Sequence, residues 1–144
     1  MNTLIPLALA ASTLVAGASA AAAGPLDAYY GRARPVLVFS GAPDDARTNE
    51  QIARFRKSQA ALDDRQMPVF VVGPKGVRTL DGGRAPASLD AGALRAAYGV
   101  TDDGFAVVLV GKDSGEKFRG VEAVGASELI DLVDQMPMRR NEAR

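Results

Sequence analysis

The chain of 144 residues carries 17 Lys plus Arg against 17 Asp plus Glu and contains no cysteine, histidine or tryptophan. That length holds one domain with a real core and is short for two. The zeros exclude a thiolate nucleophile, a disulfide and an imidazole base; a zinc site would need carboxylates alone, and the balanced charge supplies no overall field toward nucleic acid or an anionic membrane.

The opening residues, MNTLIPLALAASTLVAGASA, hold no charged side chain. An apolar run from Leu4 to Val15 leads into Ala18-Ser19-Ala20, an A-x-A cleavage pattern, and Ala21 to Ala23 offer neighbouring cuts. The reading is a cleavable signal peptide over 1–20 and a single domain over 21–144. With no basic residue in the n-region, an uncleaved anchor is the alternative. Pro6, Ser12, Thr13 and Gly17 make a poor membrane span, which wants about 20 consecutive apolar residues. The expectation is an exported protein, periplasmic or secreted, with no stable membrane span after cleavage.

PLDAYYGRA reads as a short helix or turn leading into the domain. RPVLVFS is a first strand, its unbroken apolar run suiting burial on both faces of a sheet. Thr48 with Gln51 three residues on has the capping-box pattern and predicts a helix running to Arg65, with Ile52, Phe55 and Leu62 on its buried side. MPVFVVGP is the second strand. KGVRTLDGGRAPAS is polar and Gly-rich, a surface loop with at most a short strand at Val77 to Leu80.

Ser88 and Asp90 open another helix, whose apolar side is Leu94, Ala97 and Tyr98 and whose stop is Gly99. FAVVLVG is the third strand, and KDSGEKFRG a hairpin turn with a fourth, shorter strand. The last helix opens near Ser127, buries Leu129, Val133 and Met136, and ends at Pro137. The order is β-α-β-α-β-β-α. The first two strands need a helical crossover and lie parallel, while the hairpin makes the last strand antiparallel. A four-stranded mixed α/β sheet with helices on both faces is the thioredoxin-like arrangement.

Three stretches carry a family resemblance. They are RPVLVFS, LRAAYGVTDDGFAVVLVGKDSGEKFR and LIDLVDQMPMRRNE, the last with its acidic helix running into Met-Pro-Met-Arg. Together they resemble the family known as domain of unknown function 4174, found in small exported bacterial proteins, and a similar domain of extracellular sushi-repeat and equarin-type proteins. The resemblance implies a thioredoxin-like fold without redox cysteines. It implies no established activity and no catalytic residue.

In a thioredoxin the first strand-to-helix junction holds a cysteine pair at the positive end of the helix. Here that junction reads GAPDDART. Asp44 and Asp45 can cap free backbone N–H groups there, and their charge disfavours a phosphate at the same place. Asp102 and Asp103 form a second acidic pair in the loop before the third strand, which this fold brings toward the junction. The candidate ligand-binding set is therefore Asp44, Asp45, Arg47, Asp102 and Asp103.

Met136, Pro137, Met138, Arg139 and Arg140, in the C-terminal signature, are structural or partner-binding candidates. Met138 is expected to fold back beside Met136 on the core, with Arg139 held against the domain and Arg140 freer. No catalytic residue, metal site or cofactor is assigned. The leading expectation is a binding or structural module of the envelope whose partner is an unknown protein or envelope component. A cysteine-independent enzyme or a small-ligand or cation-binding protein using the GAPDDAR turn is the alternative.

Overall fold

Two short runs with no polar residue form the middle of the sheet. In the computed structural model, which describes residues 24–144, these are β1 (Val36–Phe39) and β4 (Ala106–Val110), and every residue of both is buried. Side chains alternate across a strand, so one run feeds two cores. Val36 and Val38 join Val107, Leu109, Phe55, Leu62, Leu129 and Val133 on one face. Leu37 and Phe39 join Phe70, Val72, Val108, Val110 and Leu94 on the other.

The helices divide accordingly. α1 (Ala46–Lys57), α2 (Gln59–Asp64) and α4 (Ala126–Asp134) cover the first face, and α3 (Ala91–Tyr98) covers the second beside the short 3-10 turn Asp27–Tyr29. A sixth helical segment, α5 (Pro137–Glu142), closes the chain. Phe55 is fully buried, and cutting such a ring to alanine costs about 3–5 kcal/mol.

The sheet has five strands in the order β3-β2-β1-β4-β5, with β2 at Val69–Gly73, β3 at Gly76–Thr79 and β5 at Glu116–Gly120. β1 and β2 are parallel and every other pairing is antiparallel. The α/β layering, the parallel first pair and the closing hairpin agree with the sequence, and the architecture is thioredoxin-like. The strand count is corrected from four to five: the short strand allowed at Val77 to Leu80 is present as β3, one residue earlier, and belongs to the sheet. β3 is an edge strand, none of whose residues is fully buried, so no hydrophobic pattern betrays it; backbone pairing with β2 across the Pro74-Lys75 turn makes it a strand.

Three boundaries also move. The first helix does not reach Arg65 unbroken: Ser58, at φ −115°, separates α1 from α2. Its cap is Asp45, whose carboxylate accepts from the Arg47 N–H at 2.9 Å, and not Thr48. Thr48 and Gln51 are buried inside the helix, and Gln51 instead holds both backbone groups of Val124, at 2.7 and 2.8 Å. Pro137 does not merely end a helix. α4 stops at Asp134, and Pro137 occupies the first turn of α5, where its missing N–H costs nothing. Asp90 and Gly99 bound α3: the Asp90 carboxylate accepts from Ala93 N–H at 2.8 Å, and Gly99 takes the left-handed φ of +64°. The signal-peptide reading falls on residues outside those described.

Candidate functional site

The junction after β1 is built by close backbone approach. Ser40 extends the ladder through its N–H to Val72 O at 2.9 Å, and its hydroxyl donates to Ala42 O at 2.8 Å. At Gly41 the chain passes so near Asp103 that a Cβ would lie 2.3 Å from its carbonyl carbon. Only glycine allows that crossing. The structure therefore brings the Asp44-Asp45 turn and the Asp102-Asp103 loop together, as adjoining backbones.

Beneath both turns lies Arg95, 5% exposed. Its guanidinium donates to Thr101 O and Ser40 O at 2.6 Å each and to Val72 O at 3.2 Å, and it sits 5.7 Å from the Phe39 ring centroid. One buried cation thus ties the ends of β1 and β2 to the loop before β4. Sequence reading missed Arg95: it gave the buried side of α3 as Leu94, Ala97 and Tyr98, whereas Ala97 is exposed and Arg95 is buried beside Leu94.

The acidic side chains themselves are largely occupied or point to solvent. Asp45 accepts from its own helix and from Arg47 Nε and Nη2 at 3.2 and 3.1 Å. The Arg47 hydrogen bond is the main cause holding the Asp45 carboxyl below the usual aspartate range, and the same contact raises Arg47. Arg47 also lies over Phe105, 4.9 Å from the ring centroid. Asp103 accepts from the Thr101 hydroxyl at 2.9 Å. Asp44, Asp102 and Asp103 are exposed. Among the described residues, no three acidic side chains converge into a metal-holding group.

The concave surface takes in one side of this junction, Ser40, Ala42 and Pro43, and extends away from its acidic side chains. A groove of about 680 Å³ opens between the start of α1, the end of β2 and the β2–β3 hairpin. Thr48 and Asn49 form its α1 end, while Arg56, Lys75, Arg78 and Arg84 supply its charge. Asp44, Asp45, Arg47, Asp102 and Asp103 do not line it. Arg56 spans α1 to the hairpin, donating from Nε and Nη2 to Leu80 O at 3.2 and 3.0 Å. The size is that of an ordinary small-molecule site.

The C-terminal signature lies elsewhere, against α2 and the start of β1. Met136 is half-buried against the core, whereas Met138 is 49% exposed. The expected fold-back of Met138 is corrected: as the second residue of α5 it is exposed and does not join Met136 on the core. Arg139 donates to the Asp64 carboxylate at 2.6 Å and to Asp64 O at 3.2 Å; Arg140 is exposed.

Sequence reading passed over the strongest contact of this end. Glu142 receives both terminal nitrogens of Arg34, at 3.2 Å each, and also pairs with Lys112. Arg34 is 1% exposed and Lys112 8%. Burial pushes the Glu142 carboxyl up, but hydrogen bonds from Lys112 and Arg34 more than offset this and hold it below the usual range. Arg34 stands in RPVLVFS, Lys112 in VLVGKD and Glu142 in MPMRRNE. The three stretches that carry the resemblance thus meet in one partly buried ionic cluster.

With this geometry in view, two solved structures are similar in fold. The reduced 2-Cys peroxiredoxin of Plasmodium vivax superposes with a TM-score of 0.56 at 17% identity, covering 83% of this chain and 85% of its own. The mitochondrial 2-Cys peroxiredoxin of Plasmodium falciparum gives 0.55 at 11% identity, covering 81% and 83%. At such identities the likeness concerns the fold alone, and this chain has no cysteine. No curated protein matches it in sequence. Residues 25–142 match a single family over almost the whole described chain, and the protein belongs to it: the domain of unknown function family DUF4174.

Proposed function

We propose that the protein is exported and serves outside the cytoplasm as a non-redox binding module of the envelope, with the groove beside α1 as its binding surface. The observation that carries this reading is the make-up of the groove: the junction lends it Ser40, Ala42, Pro43 and Thr48 but none of its charged side chains. The place where a thioredoxin-like fold keeps its thiol chemistry is here closed by Gly41 against Asp103, by the Asp45 cap and by Arg47 over Phe105. The open, ligand-sized surface runs from Ser40, Ala42 and Pro43 of the junction to the hairpin, with its charge on the hairpin side. The A-x-A pattern at Ala18 to Ala20 supports export. An acid-based site at GAPDDAR would need a concavity among Asp44, Asp45 and Arg47, and none of the three lines the groove.

The test is a residue-resolved NMR titration of the protein, as recovered from its host, with soluble extract of that host's envelope. Shifts confined to residues around the groove support the reading. Shifts centred on Asp44 and Asp102, or none at all, overturn it.

A further inference from the structure

The groove has a one-sided electrostatic character in a chain of balanced charge. Four cationic side chains line it, Arg56, Lys75, Arg78 and Arg84, and no Asp or Glu does. Among the described residues, Lys75, Arg78 and Arg84 lie within ion-pair distance of no carboxylate. Arg47, Arg54, Arg65, Lys117, Arg119 and Arg139, by contrast, all have acidic partners. Arg78 and Arg84 are bridged backbone to backbone, so two guanidinium groups start from adjoining positions. At the opposite end lies the first turn of α1, whose positive end is already capped by the Asp45 carboxylate, so the cations of the hairpin side supply the groove's charge. There Thr48, 5% exposed, borders the groove, and its hydroxyl, buried beneath the surface, has no hydrogen-bond partner. An unpartnered buried hydroxyl is uncommon and calls for a partner.

Protection of an edge strand explains one charge on β3, namely Arg78. It does not explain why Arg56 from α1, Lys75 from the turn and Arg84 beyond the strand surround the same hollow. We propose that this groove binds a small organic or inorganic anion carrying two or more oxyanion groups, phosphoryl or carboxylate. Arg78 and Arg84 present planar forks to one oxyanion, and Lys75 adds a point charge at the hairpin tip. Turned outward about its χ1, the Thr48 hydroxyl donates to a ligand oxygen at the α1 end. A hollow of this size takes a small molecule, whereas a long polyanion would run past it. This inference rests on the binding-module reading of the same groove and adds the chemistry of the ligand.

Isothermal titration calorimetry with inorganic pyrophosphate and with citrate, at low ionic strength, tests it and separates the two oxyanion sources. One-site binding of either probe is expected, with amide shifts around Lys75 and Arg84. Arg78→Gln and Arg84→Gln should each weaken it about tenfold, and Thr48→Val about threefold or more. Thr48→Val should at the same time leave the melting temperature unchanged or raise it, because a hydroxyl without a partner is lost. That pairing distinguishes a ligand contact from a structural one. Binding of neither probe, unaltered affinity in the three variants, or binding of heparin alone overturns the proposal. If envelope extract still shifts the groove amides while both probes fail, the ligand class is wrong and the binding-module reading survives.

Discussion

Replacing Glu142 by alanine should unfasten the C-terminus at a cost set by Arg34. Three charged hydrogen bonds vanish, two from Arg34 at 3.2 Å and one from Lys112, together with a longer ion pair to Arg139 at 3.8 Å. Breaking a buried ion pair by removing one partner costs about 3–5 kcal/mol. Two features lower that figure here. The Glu142 side chain is 27% exposed, so water can enter the space it leaves. Arg34 also keeps its bond to Arg65 O at 3.0 Å. One feature raises it: Arg34 Nε already lacks a partner, so the guanidinium has little left to lean on. The expected loss is about 2–4 kcal/mol, roughly 6–15 °C in melting temperature for a domain of this size.

Urea unfolding followed by far-ultraviolet circular dichroism measures that loss, and amide exchange tells whether it is global or confined to α5. The complementary change separates burial of charge from simple contact. In Arg34→Met the glutamate keeps Lys112 and partial solvent access, so its loss should be the smaller. A loss below about 0.5 kcal/mol in Glu142→Ala, the level of an ordinary surface change, refutes the reasoning. So does a larger loss in Arg34→Met than in Glu142→Ala.

Arg139→Ala should cost about 1–2 kcal/mol in a urea melt, since it removes a charged pair to Asp64 from a side chain 13% exposed, and Arg140→Ala should cost little; equal losses would sink the distinction. Acid should destabilise the protein through Glu142 and Asp134, the latter held low foremost by the Arg65 hydrogen bond. Their folded values lie below unfolded ones of about 4, so this stability is complete above that pH and is lost as pH falls through the folded values; thermal melts flat down to pH 2.5 would contradict it. The protein should not reduce insulin disulfides above background, because it has no cysteine to exchange; measured turnover by pure protein would refute this. Intact mass of protein from its native host should place the mature N-terminus between Ala21 and Gly24; retention of Met1 would overturn export with cleavage.

What could be read from the sequence followed from how local each cause is. β1 and β4 are legible because a strand buried on both faces must be apolar throughout. The limits of α3 are legible because a cap and a left-handed stop need particular residues, Asp90 and Gly99. β3 was harder, since an edge strand owes its existence to a neighbour's backbone and carries no burial pattern of its own. The helix start was ambiguous for a physical reason: Asp45 and Thr48 are both good cap residues, and which one caps depends on where Gly41 lets the chain cross Asp103. The closeness of the two acidic turns was legible from topology. The buried charges were not: Arg34 and Glu142 are 108 positions apart, and no pattern in either neighbourhood names the other.

The family resemblance and the candidate site consequently have different physical origins. The stretches that carry the resemblance hold Arg34, Lys112 and Glu142, and their convergence fastens the last helix to the first strand. That cluster specifies how the chain closes, a role in which one unpaired partner is costly and each residue depends on the others. The groove draws on Lys75, Arg78 and Arg84, in the Gly-rich stretch that reads as a loop and lies outside all three motifs. Loops carried on a rigid frame are where binding chemistry can change without disturbing the core. Motif-bearing residues here hold the frame, and the open cationic surface is built from the segment whose sequence says least about its structure. Substitutions at the ionic cluster should therefore act first on stability, and substitutions in the hairpin first on binding.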